Sequence, residues 1–412
     1  MYNIIYYLVL NFLVLLPLFF LLRRKLVIDL PVYCYIMSVW VFLAVGVPLI
    51  DDVKVLGGYT FSYSLRYLIT ITIVMLPVYF IILIKNYNRK FVTVDIREIK
   101  VGRILFYFLW ISIFLGLALY YVQYGVPPLL KASSVMGNSS GIYELRMGAT
   151  YSDGYKSFKL YFVELPLLCV LIGHTLYLMR KLTWSANVIS IVLSLGVSFL
   201  FLLKSDSAII ILSLFVLSMS LRPAGLKVAV LAVVGFFMIL MSSYFFYMGG
   251  VGATEILTLI VKRIVIPYAV SLDYTITSFP EIHPFFEGAA FPNPGGIFDF
   301  QPVYYSNFLM QVIAGRADGT IPAPSVAFVY ANFGYVGALF FSAFMFAFFV
   351  FLYQIHQRSK NILMFVLWLI LSISVFRFNI QDPFSAFQFY FFIASGFLLF
   401  IGTLRNTGKI RS

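Results

Sequence analysis

The feature that most constrains this chain is a series of long apolar runs, separated by short turns that carry most of its basic residues. A helix needs about 20 apolar residues to cross a hydrocarbon core about 30 Å thick. Inside that core every backbone amide must be hydrogen-bonded within the protein, which allows only helices or closed barrels. These runs are too long and too uniformly apolar for alternating barrel strands. The sequence therefore predicts an all-α polytopic membrane protein.

The apolar runs divide into eleven predicted membrane spans. Hydrophobic residues make up 62% of the chain and charged residues only 11%, whereas a soluble domain has about 25% charged residues. The spans are predicted at residues 3–22, 30–50, 64–84, 104–123, 158–178, 185–203, 208–221, 227–247, 326–354, 361–380 and 385–404. On this interpretation residues 1–412 form a single integral membrane domain.

The distribution of charge predicts the orientation of these spans. Lys and Arg next to membrane spans favour the cytoplasmic side. One set of turns holds 18 of the 29 basic residues but only three of the 16 acidic ones, so we expect that side to be the cytoplasm. The N-terminus then lies outside and the C-terminus inside. The high isoelectric point thus reflects membrane orientation, and we expect no nucleic-acid partner because no soluble basic face interleaved with aromatics is present.

Two predicted outer segments are long enough to build a site, the smaller at 124–157 and the larger at 248–325. Loops longer than about 15 residues are usually functional or disordered. The larger segment is rich in aromatics and Pro–Gly turns, which favours an ordered lid carrying amphipathic helices. Residues 254–279 look helical but hold Lys262 and Arg263 at their centre. Because a charge at mid-bilayer costs at least about 2.5–3.5 kcal/mol, we expect this helix at the outer interface.

Basic residues on the outer side oppose the orientation rule, which makes them candidates for a binding site. Arginine forks bind phosphate oxygens in pairs and keep their charge at any working pH. Several outer arginines meeting near the membrane surface would suit a lipid diphosphate, although each taken singly also fits a structural or snorkelling role. The outer basic residues are Lys54, Arg66, Lys131, Arg146, Lys156, Lys159, Lys204, Lys262, Arg263, Arg316 and Arg377.

The larger outer segment also contains candidates for acid–base chemistry, namely Glu281, His283 and Asp299. A neutral imidazole can accept a hydroxyl proton near neutral pH, although a lone loop histidine is also often structural. Cys34 and Cys169 fall inside predicted spans and are expected to pack as small apolar residues. The sequence has no Walker loop, HExxH, CxxC or GxSxG motif, so we expect no metal and no cofactor.

Three stretches of the chain stand out: PFFEGAAF at 284–291, the run that opens a span at 326–339, and FRFNIQDPF at 376–384. In this order they resemble the O-antigen polymerase (Wzy-type) family of oligosaccharide repeat-unit polymerases. The resemblance covers about 250–390, and the run from Tyr330 to Gly337 is its most specific element. Ala327 and Phe328 stand where family members often have Gly-Glu, and the turn at 204–207 lacks the arginine that often opens the mid-chain span.

The resemblance implies glycosyl transfer on the outer face of the bacterial inner membrane. A growing glycan on undecaprenyl diphosphate would move onto the terminal sugar of a new lipid-linked repeat unit, with a chain-length regulator and a flippase as possible partners. Arginines would offset the charge that builds on the leaving diphosphate. The diphosphate-binding candidates are Arg263, Arg316, Arg377 and, more weakly, Arg146. One of His283, Glu281 or Asp299 would take the proton of the acceptor hydroxyl, with His283 favoured narrowly.

Two other functions remain open from the sequence. An O-antigen ligase shares this architecture and differs only in passing the glycan to lipid A-core. A flippase or secondary transporter would favour internal repeats and charges at mid-membrane, whereas here the charges lie mostly outside the spans. A purely structural subunit would not need so long and so titratable an outer segment. The functions of neighbouring genes would discriminate best among these alternatives.

Overall fold

The regular elements in the described part of the chain are helices. The computed structural model describes residues 2–23, 30–48, 50, 61–84, 99–132, 158, 160–201, 207, 209–211, 213–214, 217–218, 234–235, 238, 241, 252–293, 296–316, 319–358 and 362–384. The α-helices are α1 (Tyr2–Arg23), α2 (Leu30–Val39), α3 (Phe61–Leu83), α4 (Ile99–Tyr124), α5 (Pro128–Ala132), α6 (Leu165–Leu178), α7 (Trp184–Leu200), α8 (Ala253–Ser278), α9 (Tyr305–Ala314), α10 (Ser325–Arg358) and α11 (Ile362–Phe378). A π-helical turn extends α2 over Trp40–Ala44, and another precedes α6 over Leu160–Glu164.

The lengths and compositions of these helices are those of a helical membrane protein. Within the described part of the chain, five apolar helical stretches are long enough to cross a membrane: Ile4–Leu21, Ser64–Leu83, Gly102–Tyr124, Leu160–Leu178 and Ser325–His356. Shorter apolar helices run over Leu30–Ala44, Trp184–Leu200 and Met364–Phe378. The predicted membrane class is therefore confirmed. The eleventh predicted span, 385–404, and most of the segment 124–157 lie outside the described residues.

The chain divides into two compact units, of which the first draws on Met1–Phe91, Val261–Gln357 and Ile370–Ser412. In this unit α1 packs against α2 and α3. Polar groups find acceptors on neighbouring helices, since the half-buried Trp40 indole donates to Asn11 Oδ1 at 2.9 Å and the buried Tyr35 hydroxyl donates to the Val74 carbonyl at 2.9 Å. Such bonds satisfy polar groups that lipid would leave unpaired, and they link the helices.

The second unit draws on Val92–Ile260 and Arg358–Leu369, and in it α6 packs against α4 and α7. Gly173 allows α6 to pack closely against α4, because a Cβ added at this position would lie 2.6 Å from Phe106 Cε2. His174 joins α6 to its neighbours through the side chain of Asn187 and, at 3.0 Å, through Ser218 Oγ. Cys34 in the first unit and Cys169 in the second are buried free cysteines, which confirms their predicted packing role.

Helix α10 is broken at Gly334, where φ is 58° and ψ is −141°. The two helical parts fold towards each other, since a Cβ added to Gly337 would lie 2.2 Å from the Val329 carbonyl oxygen, eight residues earlier. The span predicted at 326–354 corresponds to the apolar stretch Ser325–His356, and the break lies inside it. Only glycine adopts such a backbone conformation readily, so the kink follows from a residue that hydropathy does not detect. Residues 335–358 remain long enough to cross a membrane.

Candidate functional site

The segment that follows α8 is fastened to the break in α10 by the side chain of Asn332. Its Oδ1 atom accepts the backbone N–H of Gly288 at 3.1 Å and that of Ala290 at 3.4 Å, while its Nδ2 atom donates to the Phe328 carbonyl at 2.8 Å. The side chain is only 1% exposed. A buried amide whose donor and acceptor both find partners fixes the position of the segment more strongly than an apolar contact would.

Backbone bonds and a close aromatic contact strengthen this junction. The N–H of Phe286 donates to the Ala331 carbonyl at 3.0 Å, and the N–H of Glu287 donates to the Asn332 carbonyl at 3.2 Å. The ring of Phe285 lies over the break, because a Cβ added to Gly334 would stand 2.9 Å from Phe285 Cζ. A side chain at position 334 would therefore both strain the backbone and displace this ring.

The third stretch of the resemblance, 376–384, meets the other two at the same place. Ser325 Oγ, at the start of α10, donates to the Gln381 carbonyl at 2.9 Å. The ring of Phe384 lies 5.2 Å from that of Phe291 and 6.1 Å from that of Phe328, centroid to centroid. The segments 284–291, 326–339 and 376–384 thus form one junction, which we call the three-motif junction.

An ion pair lies beside the three-motif junction. Arg66 Nη2, on α3, is 2.6 Å from Glu281 Oε1, and the two side chains are 30% and 45% exposed. The hydroxyls of Tyr330 and Tyr335 are hydrogen-bonded to each other and lie near enough to act electrostatically on Arg66. The sequence names Glu281 as an acid–base candidate, and the structure shows it as the partner of an arginine.

His283 is held in a defined orientation. Its Nε2 atom is 3.1 Å from the Tyr274 hydroxyl, and its ring centroid lies 5.6 Å from that of Phe279 and 5.1 Å from that of Phe308. The tautomer decides what the ring can do. If Nε2–H donates to Tyr274, Nδ1 carries the lone pair that accepts a proton. If Tyr274 donates, Nδ1 bears the proton and the ring is no base at that atom.

Asp299 lies in a turn that Asn293 organises. Asn293 Nδ2 donates to the Phe298 carbonyl at 2.7 Å, and its Oδ1 accepts the Phe298 N–H at 3.0 Å. The Asp299 side chain is exposed. The three acid–base candidates therefore share one chain segment but differ in environment, since Glu281 is ion-paired, His283 is half-buried among aromatics, and Asp299 faces outward.

The four candidate arginines are not alike. Arg263 is exposed on α8, and Arg316 is exposed just after the left-handed Gly315 that ends α9. Arg377 is 7% exposed in the last turn of α11, inside the third stretch of the three-motif junction. Arg146 lies outside the described residues. A shared diphosphate site formed by these arginines therefore stays a prediction.

The environment of Arg263 is marked by a neighbouring phenol. Burial raises the pKa of Tyr268 to about 12, and the positive charge of Arg263 acts in the opposite direction. The guanidinium therefore lies close enough to the partly buried Tyr268 to act on it, while the Arg263 side chain itself remains exposed. That position fits the predicted placement of α8 at a membrane interface, where a charged head stays in water and its stem covers apolar surface.

Sequence reasoning did not select Arg66 for the site. The signal was present, because Arg66 is one of the basic residues on the predicted outer side. The partner that singles it out, Glu281, is 215 residues away, and no local pattern links the two. Asn332 was noted only as part of the Tyr330–Gly337 run. In the described part of the chain, no group of three or more His, Cys, Asp and Glu side chains could hold a metal ion.

No protein-family model matches the chain, and neither a curated protein nor a solved structure shows significant similarity to it.

Proposed function

We propose that this chain is a polymerase of lipid-linked oligosaccharide repeat units. One observation carries the proposal: the three stretches that resemble the O-antigen polymerase family, more than 30 residues apart along the chain, meet in the three-motif junction through Asn332, Ser325 and Phe384. Packing alone would not require the resembling residues to cluster with an ion pair and an oriented histidine. A glycosyl-transfer site would bring such groups together.

The proposal places the site on the outer face of the inner membrane. It assumes the eleven predicted spans, a periplasmic N-terminus, a cytoplasmic C-terminus and a periplasmic segment 248–325 that covers the site. The position of Arg66 supports this topology. The residue lies in the first turn of the apolar stretch Ser64–Leu83, and so at one boundary of the membrane. The diphosphate of a polyprenyl lipid lies at the same depth, with its sugars further out.

In the proposed reaction, the hydroxyl oxygen of the acceptor sugar attacks the anomeric carbon of the donor glycan. A glycosidic bond forms as the bond between that carbon and the lipid phosphate oxygen breaks. The hydroxyl proton passes to the base, and the electron pair leaves with undecaprenyl diphosphate. Arginine donors stabilise the negative charge that develops on the leaving group. Arg377, buried beside the three-motif junction, and Arg263, at the interface, are the arginines we assign to this role, with Arg316 and Arg146 as secondary candidates.

We assign the base to His283 in preference to Glu281 and Asp299. The Tyr274 hydroxyl lies 3.1 Å from Nε2 and fixes the ring, which leaves Nδ1 as the atom that accepts the proton when Nε2–H donates. Glu281 is already the partner of Arg66, and Asp299 is exposed. The Glu281 carboxylate is thus engaged by a guanidinium, whereas the imidazole of His283 is held by a neutral hydroxyl.

The first test is made in cells. Deleting the gene from its source bacterium should convert a ladder of surface polysaccharide lengths into a single repeat unit on its acceptor lipid, and the plasmid-borne gene should restore the ladder. A strain that keeps its ladder contradicts the proposal. Loss of every glycan from the acceptor, with long polymer accumulating on undecaprenyl diphosphate, would identify a ligase, and loss of all periplasmic lipid-linked units would identify a flippase.

A further inference from the structure

The Arg66–Glu281 ion pair is not explained by stability. Both side chains are substantially exposed, at 30% and 45%, and solvent screening leaves such pairs with little net effect on folding. The segment that carries Glu281 is already fastened to α10 by the Asn332 side chain and by backbone bonds from Phe286 and Glu287. The ion pair therefore contributes a polar surface that faces solvent, and the attachment of the segment that carries Glu281 does not depend on it.

The chemistry of this surface indicates the kind of ligand that it suits. A guanidinium supplies N–H donors, a carboxylate supplies acceptors, and a phenol supplies both. Here these groups lie together, because the rings of Tyr330 and Tyr335 are 5.3 Å apart, centroid to centroid, and both phenols act electrostatically on Arg66. The Tyr335 side chain is half-buried, so part of it is open to solvent. Adjacent donors and acceptors of this kind match the vicinal hydroxyls of a sugar.

The net charge of the cluster argues against a diphosphate at this position. One arginine and one glutamate cancel, and the Glu281 carboxylate would repel an anionic ligand at the same distance at which Arg66 attracts it. An uncharged sugar ring meets no such repulsion. The position also fits, since Arg66 stands in the first turn of an apolar stretch that begins at Ser64, at a membrane boundary.

We propose that Arg66, Glu281 and Tyr335 form a subsite for an uncharged sugar of a membrane-linked oligosaccharide. This inference rests on the proposed function for the source of the sugar. It assigns Arg66 and Glu281 to sugar recognition, and so it separates Glu281 from proton transfer, which stays with His283. The diphosphate binds elsewhere, at the arginines named above.

The deciding variant exchanges the two charges, Arg66→Glu with Glu281→Arg. The exchange keeps the attraction between the two positions but inverts the arrangement of donors and acceptors that a ligand meets. Tyr335→Phe is the second variant, because it removes one hydroxyl and leaves the ring. Glu255→Gln is the matched control, since Glu255 is an exposed carboxylate in the first turn of α8.

The measurement uses the full chain in detergent and two probes. One is the lipid-free oligosaccharide released by mild acid from the lipid-linked pool of the source cells, and the other is farnesyl diphosphate. The charge exchange and Tyr335→Phe should each raise the dissociation constant for the oligosaccharide about tenfold or more, as expected when a hydrogen bond to the ligand is lost. Both variants and the control should bind farnesyl diphosphate as the unchanged protein does.

Three results would overturn the subsite. They are unchanged oligosaccharide binding by the exchanged pair at an unchanged unfolding temperature, weaker binding of farnesyl diphosphate alone, and no oligosaccharide binding by the unchanged protein. If the double variant with exchanged charges does not fold, the Tyr335→Phe variant is judged by the same three results. Failure of the proposed function is distinguishable, because a chain that binds the oligosaccharide through this cluster but lacks polymer activity keeps the subsite and loses the polymerase assignment.

Discussion

Asn332 Oδ1 accepts the backbone N–H of Gly288 at 3.1 Å, a hydrogen bond that joins two segments 44 residues apart. Gly288 has a φ of 99° and the preceding Glu287 a φ of 50°, so the chain reverses sharply where the amide holds it. The tight turn and the broken helix α10 are therefore built around one buried side chain.

Replacing Asn332 with Ala should destabilise the protein and release the segment that follows α8. The change leaves the N–H groups of Gly288 and Ala290 without their acceptor, at a cost of about 1–3 kcal/mol. The apparent unfolding temperature in detergent should fall, and protease cleavage within 279–304 should accelerate. Asn307→Ala, at an exposed position of α9, should change neither quantity. Equal behaviour of the two variants would contradict the role given to Asn332.

Gly334→Ala should be costly although it adds one methyl group. The backbone at Gly334 has a φ of 58°, and the new Cβ would stand 2.9 Å from Phe285 Cζ. Backbone strain of this kind costs about 1–3 kcal/mol. Gly196→Ala, inside α7 with no atom within 4 Å of its Cβ, is the matched control and should be neutral or stabilising. Adding Phe285→Ala to Gly334→Ala should recover only part of the loss, because the clash is relieved and the strain is not.

The sequence predicted the helices and the membrane class because hydropathy is a local signal that a run of about 20 residues carries by itself. It also predicted the helix at 254–279, which the structure has as α8, Ala253–Ser278. The break at Gly334 was not predicted, because hydropathy carries no information about the backbone conformation of a single glycine. The Arg66–Glu281 ion pair was not predicted from the sequence, because the two residues are 215 positions apart and no periodicity links them.

Tyr274→Phe should lower the rate of glycosyl transfer without unfolding the protein, because it removes the hydroxyl that orients His283 and keeps the ring. His283→Ala should abolish transfer, whereas His283→Gln retains a hydrogen-bonding group and should stay inactive if proton acceptance is required. Loss of a positioned general base typically lowers the rate about 10²–10⁴-fold. Polymer yield per unit of membrane-inserted protein is the measurement. Full activity of His283→Ala would move the base to Glu281 or Asp299.

Impermeant cysteine labelling tests the proposed orientation. In a background with Cys34→Ala and Cys169→Ala, Gln311→Cys on α9 should react in intact cells with a permeable outer membrane. Lys181→Cys, in the turn between α6 and α7, should react only after the inner membrane is opened. Both positions are exposed, so accessibility within the protein does not limit the reaction. The reverse labelling pattern would invert the topology and remove the periplasmic site.

The most direct test of the central claim is polymerisation by the purified chain. The protein is reconstituted in vesicles with undecaprenyl-diphosphate-linked repeat units as the only substrate, in excess EDTA, and products are resolved by length. We expect a ladder of lipid-linked oligomers together with released undecaprenyl diphosphate, absent with His283→Ala and retained with Glu255→Gln. Repeat units that stay single with a folded protein would contradict the claim. A ladder that EDTA abolishes and a divalent metal restores would contradict the metal-independent mechanism.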